Sequence, residues 1–113
     1  MVNRGDVWWV DFGEPFGSEP GFLRPAAVVS SDRFNRSRIA TVVVVAITSN
    51  LRLGEAPGNV RLDRGTAGLG KESVVKVSQT MVVDRRRLSE SSGGLDRVTM
   101  RAVDAGLRLV LSL

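Results

Sequence analysis

Three polar residues occupy positions at which a side chain can carry out chemistry. Arg24 follows a long loop and precedes Pro25, and Thr48, followed by Ser49, ends the most apolar segment of the chain. Glu19 lies inside the loop, five residues before Arg24. An arginine is always charged, and its planar guanidinium matches the oxygens of a phosphate. Each residue also fits an ordinary role as a solvated charge or part of a turn, so position alone leaves both interpretations open.

The composition excludes several classes of site. The chain contains no cysteine and no histidine. Disulfides, thiol nucleophiles and zinc–thiolate sites are therefore excluded, as are a Ser-His-Asp hydrolase, a ribonuclease built on two imidazoles and a histidine-ligated metal. No pair of acidic residues has metal-ligand spacing, so we expect neither a metal nor another cofactor.

The hydropathy pattern gives no sign of a membrane protein. No apolar stretch approaches the roughly 20 residues that a membrane span requires, and the first residues lack a signal-peptide pattern. The absence of cysteine fits a reducing compartment. We therefore expect a cytoplasmic protein with no membrane partner.

The charge of the chain is unevenly distributed. The net charge is +4, and 14 of the 16 basic residues are arginine. The segment 33–64 contains six arginines against Glu55 and Asp63, so its local excess equals that of the whole chain. Such an excess indicates either a nucleic-acid partner or a solvated surface in a protein with a GC-rich coding bias.

The order of the predicted elements limits the fold. We predict a single domain over 1–113. Bulky and β-branched runs predict strands at 5–12, 26–30, 39–47, 59–62 and 73–83, with a loop at 13–23 and a helical turn at 31–35. Strands and helices do not alternate, so we predict a mainly β fold with a C-terminal helix, in which a small antiparallel barrel or sheet is strongly curved.

The last segment changes to a helical period. An apolar stripe with spacings of three and four residues predicts the buried face of a helix: Leu95, Val98, Ala102, Ala105 and Leu109, extended by Val103, Leu107 and Val110. Thr99 is the predicted N-cap. Glycine in a helix interior costs about 1 kcal/mol relative to alanine. Gly106 therefore indicates that another backbone passes close to this helix.

Several segments together resemble the MazF family of toxins, also called the PemK-like family. The similar segments run almost from end to end of the chain: 4–12, Gly17-Ser18-Glu19 followed by Arg24-Pro25-Ala26, Ala46–Ser49, Ser73–Val75, Ser78-Gln79, Val83-Asp84, Arg87-Leu88 and Val103–Leu107. The resemblance implies a small SH3-like antiparallel barrel, the MazF/CcdB-like toxin fold, which forms a homodimer.

The resemblance also implies an activity and a partner. Toxins of this family are sequence-specific, metal-independent endoribonucleases that cut single-stranded RNA, mainly mRNA and sometimes tRNA or rRNA. The implied protein partner is the cognate antitoxin of a type II toxin–antitoxin system, which lays an acidic, partly disordered tail across the RNA groove.

The resemblance assigns the catalytic roles. Cleavage without histidine or metal uses the 2′-OH of the RNA as nucleophile and leaves a 2′,3′-cyclic phosphate and a 5′-OH. Arg24 would stabilise the charge that develops on the phosphate, and Thr48 would donate a hydroxyl hydrogen bond to it. Glu19 would act either as general base or as a structural residue, because an ordinary glutamate, with a pKa of about 4.3, is a weak base unless burial raises that pKa.

A second group of residues is expected to bind RNA. Single-stranded RNA is recognised through splayed bases that stack on aromatic side chains and are hydrogen-bonded along their edges. Gln79 matches a position of the family in the RNA groove. Ser18, Ser49 and Asn50 are neighbours of the catalytic positions, and Phe16 is the loop aromatic that could either stack on a base or anchor the loop.

Two other functions remain open on the sequence alone. A gyrase-poisoning toxin of the same fold would share the barrel, the dimer and the antitoxin, without requiring the pair Arg24 and Thr48. A catalytically silent module on this scaffold would bind RNA or an antitoxin and leave the RNA intact.

Overall fold

The computed structural model describes residues 1–113 as six strands and two helices. The elements are β1 (Asp6–Asp11), β2 (Leu23–Val28), α1 (Asp32–Asn35), β3 (Thr41–Thr48), β4 (Val60–Leu62), β5 (Ser73–Asp84), β6 (Leu88–Gly94) and α2 (Arg97–Leu111), with 3-10 turns at Leu51–Glu55, Thr66–Gly68 and Arg85–Arg87. None of the helices combines the length and apolar character that crossing a bilayer requires. The predicted mainly β fold with a C-terminal helix is confirmed.

The six strands form one curled antiparallel sheet in the order β4-β5-β3-β2-β1-β6. The curl brings the turn Thr66–Gly68, which follows β4, against the opposite edge strand β6. There the hydroxyl of Ser92 donates a hydrogen bond of 2.8 Å to the carbonyl of Ala67. The barrel is thus a half-barrel, in which a turn rather than a strand ladder spans the gap between β4 and β6.

Each face of the sheet carries its own apolar core. One cluster includes Val7, Val45, Val77 and Val103 of α2. The other includes Val10, Ala26 and Val44. Strand β3 supplies both clusters, because its consecutive residues Val44, Val45, Ala46 and Ile47 are all buried. This strand is therefore buried on both faces of the sheet.

Two strands differ from the sequence-based prediction. Strand β2 begins at Leu23 and ends at Val28, whereas the predicted strand ran over 26–30. Pro25, which lies just before the predicted strand, pairs with Trp9 inside the ladder, and Arg24 pairs with Val10. Strand β6 was not predicted, because its sequence Leu-Ser-Glu-Ser-Ser-Gly-Gly has no apolar alternation; backbone pairing with β1 forms it.

The face of α2 that packs on the sheet also differs from the prediction. Its buried residues are Met100, Val103 and Gly106, whereas Val98 and Leu109 of the predicted stripe are 73% and 62% exposed. The segment carries two overlapping apolar stripes, and the sheet covers one of them. The predicted N-cap Thr99 is also wrong: the Asp96 carboxylate accepts a hydrogen bond of 2.7 Å from the Thr99 amide, which makes Asp96 the cap.

Candidate functional site: a cationic pocket at the end of strands β2 and β3

Strands β2 and β3 bring Arg24 and Thr48 together. Ala26 lies opposite Ala46 in the antiparallel ladder. When this register is continued two residues along each strand, Arg24 lies beside Thr48 on the same face of the sheet. Directly opposed residues in such a ladder have Cβ atoms about 5 Å apart. Both side chains line one cavity of about 320 Å³.

The loop between β1 and β2 forms one wall of this cavity. Ser18, Glu19 and Phe22 line it, together with Pro15, Gly17, Pro20 and Gly21. Two backbone hydrogen bonds close the base of the loop. The amide of Phe12 donates to the carbonyl of Phe22 at 2.9 Å, and the amide of Phe22 donates to the carbonyl of Gly13 at 2.6 Å. Phe22 has a φ of +58°, which is strained for a bulky residue. This wall is therefore held in a fixed, partly strained shape.

Strand β5 forms the opposite wall with Lys76 and Gln79. The Gln79 Nε2 atom donates a hydrogen bond of 2.8 Å to the carbonyl of Ser18. A register shift between Val45 and Ala46 of β3 lets β5 bulge here, since Val45 pairs with Thr80 and Ala46 with Lys76. The bulge puts both Lys76 and Gln79 on the cavity, although an unbroken strand would send residues three apart to opposite faces.

The hydrogen bonds of Arg24 and Thr48 leave their donors free. The Nε of Arg24 donates to the carbonyl of Gly21 at 3.3 Å, and its two terminal nitrogens have no partner within the chain. The Oγ1 of Thr48 accepts a hydrogen bond of 3.2 Å from the amide of Asn50. The guanidinium is thus oriented through one nitrogen, and the hydroxyl proton of Thr48 is free to be donated to a ligand.

The charges in the cavity are two cations and one carboxylate, namely Arg24, Lys76 and Glu19. Partial burial desolvates the ammonium group of Lys76 and lowers its pKa. Glu19 is exposed and takes part in neither of the salt bridges of the chain. The burial that a general-base role requires of Glu19 is therefore absent. A pocket of this charge suits an anion.

A second cavity of about 360 Å³ lies on the other face of the same strand ends. Arg24 and Thr48 line this cavity as well, together with Trp9, Ser49 and Leu69. The two residues therefore stand at the end of the sheet where the two cavities meet. A polymer strand that crosses this end of the sheet could occupy both cavities and would contact Arg24 between them.

The predicted site residues divide into two groups. Arg24, Thr48, Glu19, Ser18 and Gln79 line the first cavity together, as their expected shared site requires. Ser49 lines only the second cavity.

Asn50 and Phe16 line neither cavity. The side chain of Asn50 caps the turn Leu51–Glu55 and accepts a hydrogen bond of 3.3 Å from Arg52. Phe16 is 83% exposed at the tip of the loop.

Two lining residues were not predicted. Lys76 is the only charged residue within the apolar segment 73–83, which is a signal that the sequence did carry. Phe22 is 61% exposed and lines the cavity. Nothing in the sequence distinguishes it from Phe16, because the conformation of the loop decides which aromatic ring faces the cavity.

The comparisons with known proteins agree with this architecture. Residues 3–111 match the family described as the PemK-like, MazF-like toxin of type II toxin–antitoxin systems. The chain is 41% identical to endoribonuclease MazF6 of Mycobacterium tuberculosis over 113 residues, covering 100% of this chain and 99% of the relative. It is 34% identical to endoribonuclease EndoA of Bacillus subtilis, covering 100% of this chain and 97% of the relative.

The solved structures show the same fold. A mycobacterial endoribonuclease in complex with its cognate antitoxin superimposes with a TM-score of 0.81 at 24% identity, covering 100% of this chain and 97% of the other. The curled half-barrel with its C-terminal helix is thus the fold of a known class of small toxins. The protein belongs to the PemK-like, MazF-like toxin family.

Proposed function

We propose that this protein is a sequence-specific endoribonuclease toxin that cleaves single-stranded RNA without a metal ion. The observation that carries the proposal is the pairing of the Arg24 guanidinium and the Thr48 hydroxyl at one anion-binding cavity. The names of the relatives support it, because both curated relatives described above are endoribonucleases.

The reaction follows from the chemistry of these two side chains. The 2′-oxygen of a ribose attacks the adjacent phosphorus, the bond to the 5′-oxygen breaks, and the products are a 2′,3′-cyclic phosphate and a 5′-OH. Negative charge grows on the two non-bridging oxygens during this step. The free terminal nitrogens of Arg24 bind those oxygens, and the hydroxyl of Thr48 donates a further hydrogen bond.

Glu19 has a different role in this proposal. Its carboxylate is exposed at the mouth of the cavity and has the wrong charge to contact a phosphate. We assign it to the loop wall, where it repels phosphates from positions other than the one between Arg24 and Thr48. The base that removes the 2′-proton is then solvent water.

RNA recognition uses the walls of the cavities. Ser18 and Gln79 present hydrogen-bonding groups in the first cavity, and Ser49 presents its hydroxyl in the second. Phe16 offers an exposed ring for stacking on a base. The amide of Asn50 orients Thr48 through the hydrogen bond to its Oγ1.

The proposal includes protein partners. The exposed stripe of α2, with Val98 and Leu109, is an apolar face that a second copy of the chain would cover in a homodimer. A cognate antitoxin would lay acidic residues over the cationic cavity and compete with RNA. A fold relative of this chain has been solved in complex with its cognate antitoxin. The proposed targets are messenger RNA and, in addition, tRNA or rRNA. These targets and an antitoxin partner imply that the protein acts in the cytoplasm.

Two alanine variants test the proposal. Purified protein is incubated with a long single-stranded RNA in EDTA, and the cleavage rate is measured. Loss of one charge-stabilising donor lowers kcat by about 100- to 1,000-fold, so we expect that loss for Arg24→Ala and a smaller loss for Thr48→Ala. Arg36→Ala, in the exposed connection between α1 and β3 at the opposite end of strands β2 and β3, removes the same charge far from the cavity and is expected to retain the wild-type rate.

The controls separate catalysis from folding. Each variant must keep the wild-type unfolding temperature and must still bind the antitoxin. An Arg24→Ala protein that cuts RNA at the wild-type rate contradicts the proposal. Intact RNA together with trapped gyrase–DNA breaks would identify a gyrase poison, and RNA that is bound but intact would identify a silent binding module.

A further inference from the structure

The ammonium group of Lys76 is the one cavity donor that the proposed reaction has not used. It is half-buried on β5 and forms neither a salt bridge nor a hydrogen bond within the chain. A cation withdrawn from water without a partner is energetically unfavourable. The position of Lys76 on the cavity wall therefore indicates a ligand that accepts hydrogen bonds from its ammonium group.

The strand register brings Lys76 to the same phosphate as Arg24 and Thr48. Lys76 lies opposite Ala46, which is two residues from Thr48 on the same face of β3. Diagonal neighbours of this kind have Cβ atoms about 7 Å apart. Arg24 lies beside Thr48 on the far side, so the two long cationic side chains flank the hydroxyl.

The reaction requires a proton that the other lining residues cannot supply. When the bond between phosphorus and the 5′-oxygen breaks, the leaving alkoxide must be protonated. A guanidinium spreads its charge over three nitrogens and is always protonated in proteins, so Arg24 is a poor proton donor, and its free terminal nitrogens already bind the non-bridging oxygens in the proposed reaction. A threonine hydroxyl is a still weaker acid, and Glu19 is assigned above to the exposed loop wall, where it does not contact the phosphate.

We propose that Lys76 is the general acid of the RNA cleavage reaction and protonates the 5′-oxygen leaving group. This inference rests on the proposed function. In the step, the 2′-oxygen bonds to phosphorus, the phosphorus–O5′ bond breaks, and the 2′-OH proton passes to solvent water. One Nζ proton of Lys76 moves to O5′, and the neutral amine then takes a proton back from water.

Burial tunes Lys76 for this task. Desolvation lowers the pKa of its ammonium group below the usual value for lysine. A general acid is most effective when its pKa approaches the working pH. The other charged groups that face the cavity are Arg24 from β2 and Glu19 from the loop. The negative charge of a phosphate bound at Arg24 would raise the pKa of Lys76 part of the way back. The ammonium group therefore stays protonated until it transfers its proton.

A sulfur-bridged substrate tests proton donation directly. The cut site is first mapped by sequencing 5′-OH ends, and a short RNA containing it is made with either O5′ or a bridging sulfur at the scissile position. A thiolate leaves without protonation, so the sulfur substrate does not need a general acid. General acids contribute about 100- to 10,000-fold to the rate, and we expect Lys76→Met to lose this factor on the oxygen substrate alone.

Further variants separate a proton donor from a simple positive charge. Lys76→Arg keeps the charge with a much higher pKa, so we expect it to remain slow on the oxygen substrate and near the wild-type rate on the sulfur substrate. In the wild type, kcat/KM falls at alkaline pH as Lys76 loses its proton, and this fall is absent in Lys76→Met. Arg36→Met, a charge removal in the exposed connection between α1 and β3 at the opposite end of strands β2 and β3, is expected to match the wild type with both substrates.

The outcomes distinguish a failure of the proposed function from a failure of the general-acid role of Lys76. If the wild type leaves both substrates intact, the proposed function itself fails. If the wild type cuts but Lys76→Arg cuts equally fast, or Lys76→Met is slowed equally on both substrates, Lys76 is not the proton donor and the inference is overturned. Unfolding temperatures equal to that of the wild type show that a slow variant is folded.

Discussion

Replacing Gly106 with alanine should destabilise the protein, although alanine is the better helix former. Gly106 lies inside α2 and packs on the backbone of Gly58, whose Cα would be 3.2 Å from an added Cβ and whose carbonyl oxygen would be closer still. A Cβ on Gly58 would in turn lie 2.9 Å from the Cγ2 of Val77 and 3.1 Å from the Cα of Gly106. The two backbones therefore meet with no room for a methyl group.

Two opposing contributions set the expected magnitude. Alanine gains about 1 kcal/mol over glycine in a helix interior. Overpacking costs about 1 to 3 kcal/mol, and a collision with backbone belongs at the upper end of that range. We therefore expect the free energy of unfolding to fall by about 2 kcal/mol, which corresponds to a Tm lower by about 8 °C at roughly 4 °C per kcal/mol for a domain of this size.

Two controls isolate these contributions in thermal unfolding followed by circular dichroism at one fixed protein concentration. Arg108→Ala and Arg108→Gly, compared at an exposed position of α2 that is not part of the apolar stripe, measure the helix propensity alone. Gly70→Ala adds a methyl group where no atom lies within 4 Å, and we expect no loss of stability there. A Gly106→Ala protein with a raised Tm would refute the close-packing argument.

Two more predictions concern the cavity wall and the pH dependence. If the ring of Phe22 stacks on a base, Phe22→Ala should raise KM about 5- to 150-fold with less effect on kcat, because stacking contributes about 1–3 kcal/mol. Steady-state cleavage assays measure both constants. An unchanged KM would limit Phe22 to shaping the loop. The hydrogen bonds from Arg86 lower the pKa of Asp84 to about 2. Its stabilising contribution is therefore present above about pH 4, the ordinary range for an aspartate, and is lost as the pH falls towards 2. An NMR titration of Arg86→Ala should show the Asp84 pKa raised part of the way towards that range, because the backbone amide of residue 86 still donates a hydrogen bond to the carboxylate.

The sequence contained enough information to predict the paired residues of the site. Arg24 and Thr48 were identifiable because the first follows a loop and the second ends an apolar strand. The antiparallel ladder between β2 and β3 then brings two such strand ends together. Residues at the ends of neighbouring strands meet for reasons of topology alone, so this part of the prediction did not depend on side-chain detail.

That Lys76 and Gln79 of β5 line one cavity could not be predicted, because it depends on a bulge. Alternation along 73–83 put Gln79 on the opposite side from Lys76. The register shift opposite Val45 and Ala46 brings both side chains to one cavity. A bulge is set by the fit between two strands in space, and the sequence of one strand does not reveal it.

The packing of α2 shows a second limit of sequence patterns. Its sequence has two overlapping apolar stripes, and only the position of the sheet decides which of them is buried. The sheet covers Met100, Val103 and Gly106, whereas Val98 and Leu109 stay exposed. The close approach predicted from Gly106 is confirmed, because an interior glycine has a local cost that only a contact can compensate.

One measurement tests most directly whether Arg24 and Thr48 make the RNA cleave itself. The wild-type protein is incubated in EDTA with two short RNAs that differ at one position, the nucleotide on the 5′ side of the mapped cut, which carries either a 2′-OH or a 2′-H. We predict that the first RNA is cut to a 2′,3′-cyclic phosphate and a 5′-OH, whereas the second stays intact although it binds equally well. Cleavage of the 2′-deoxy RNA at a comparable rate would contradict the account.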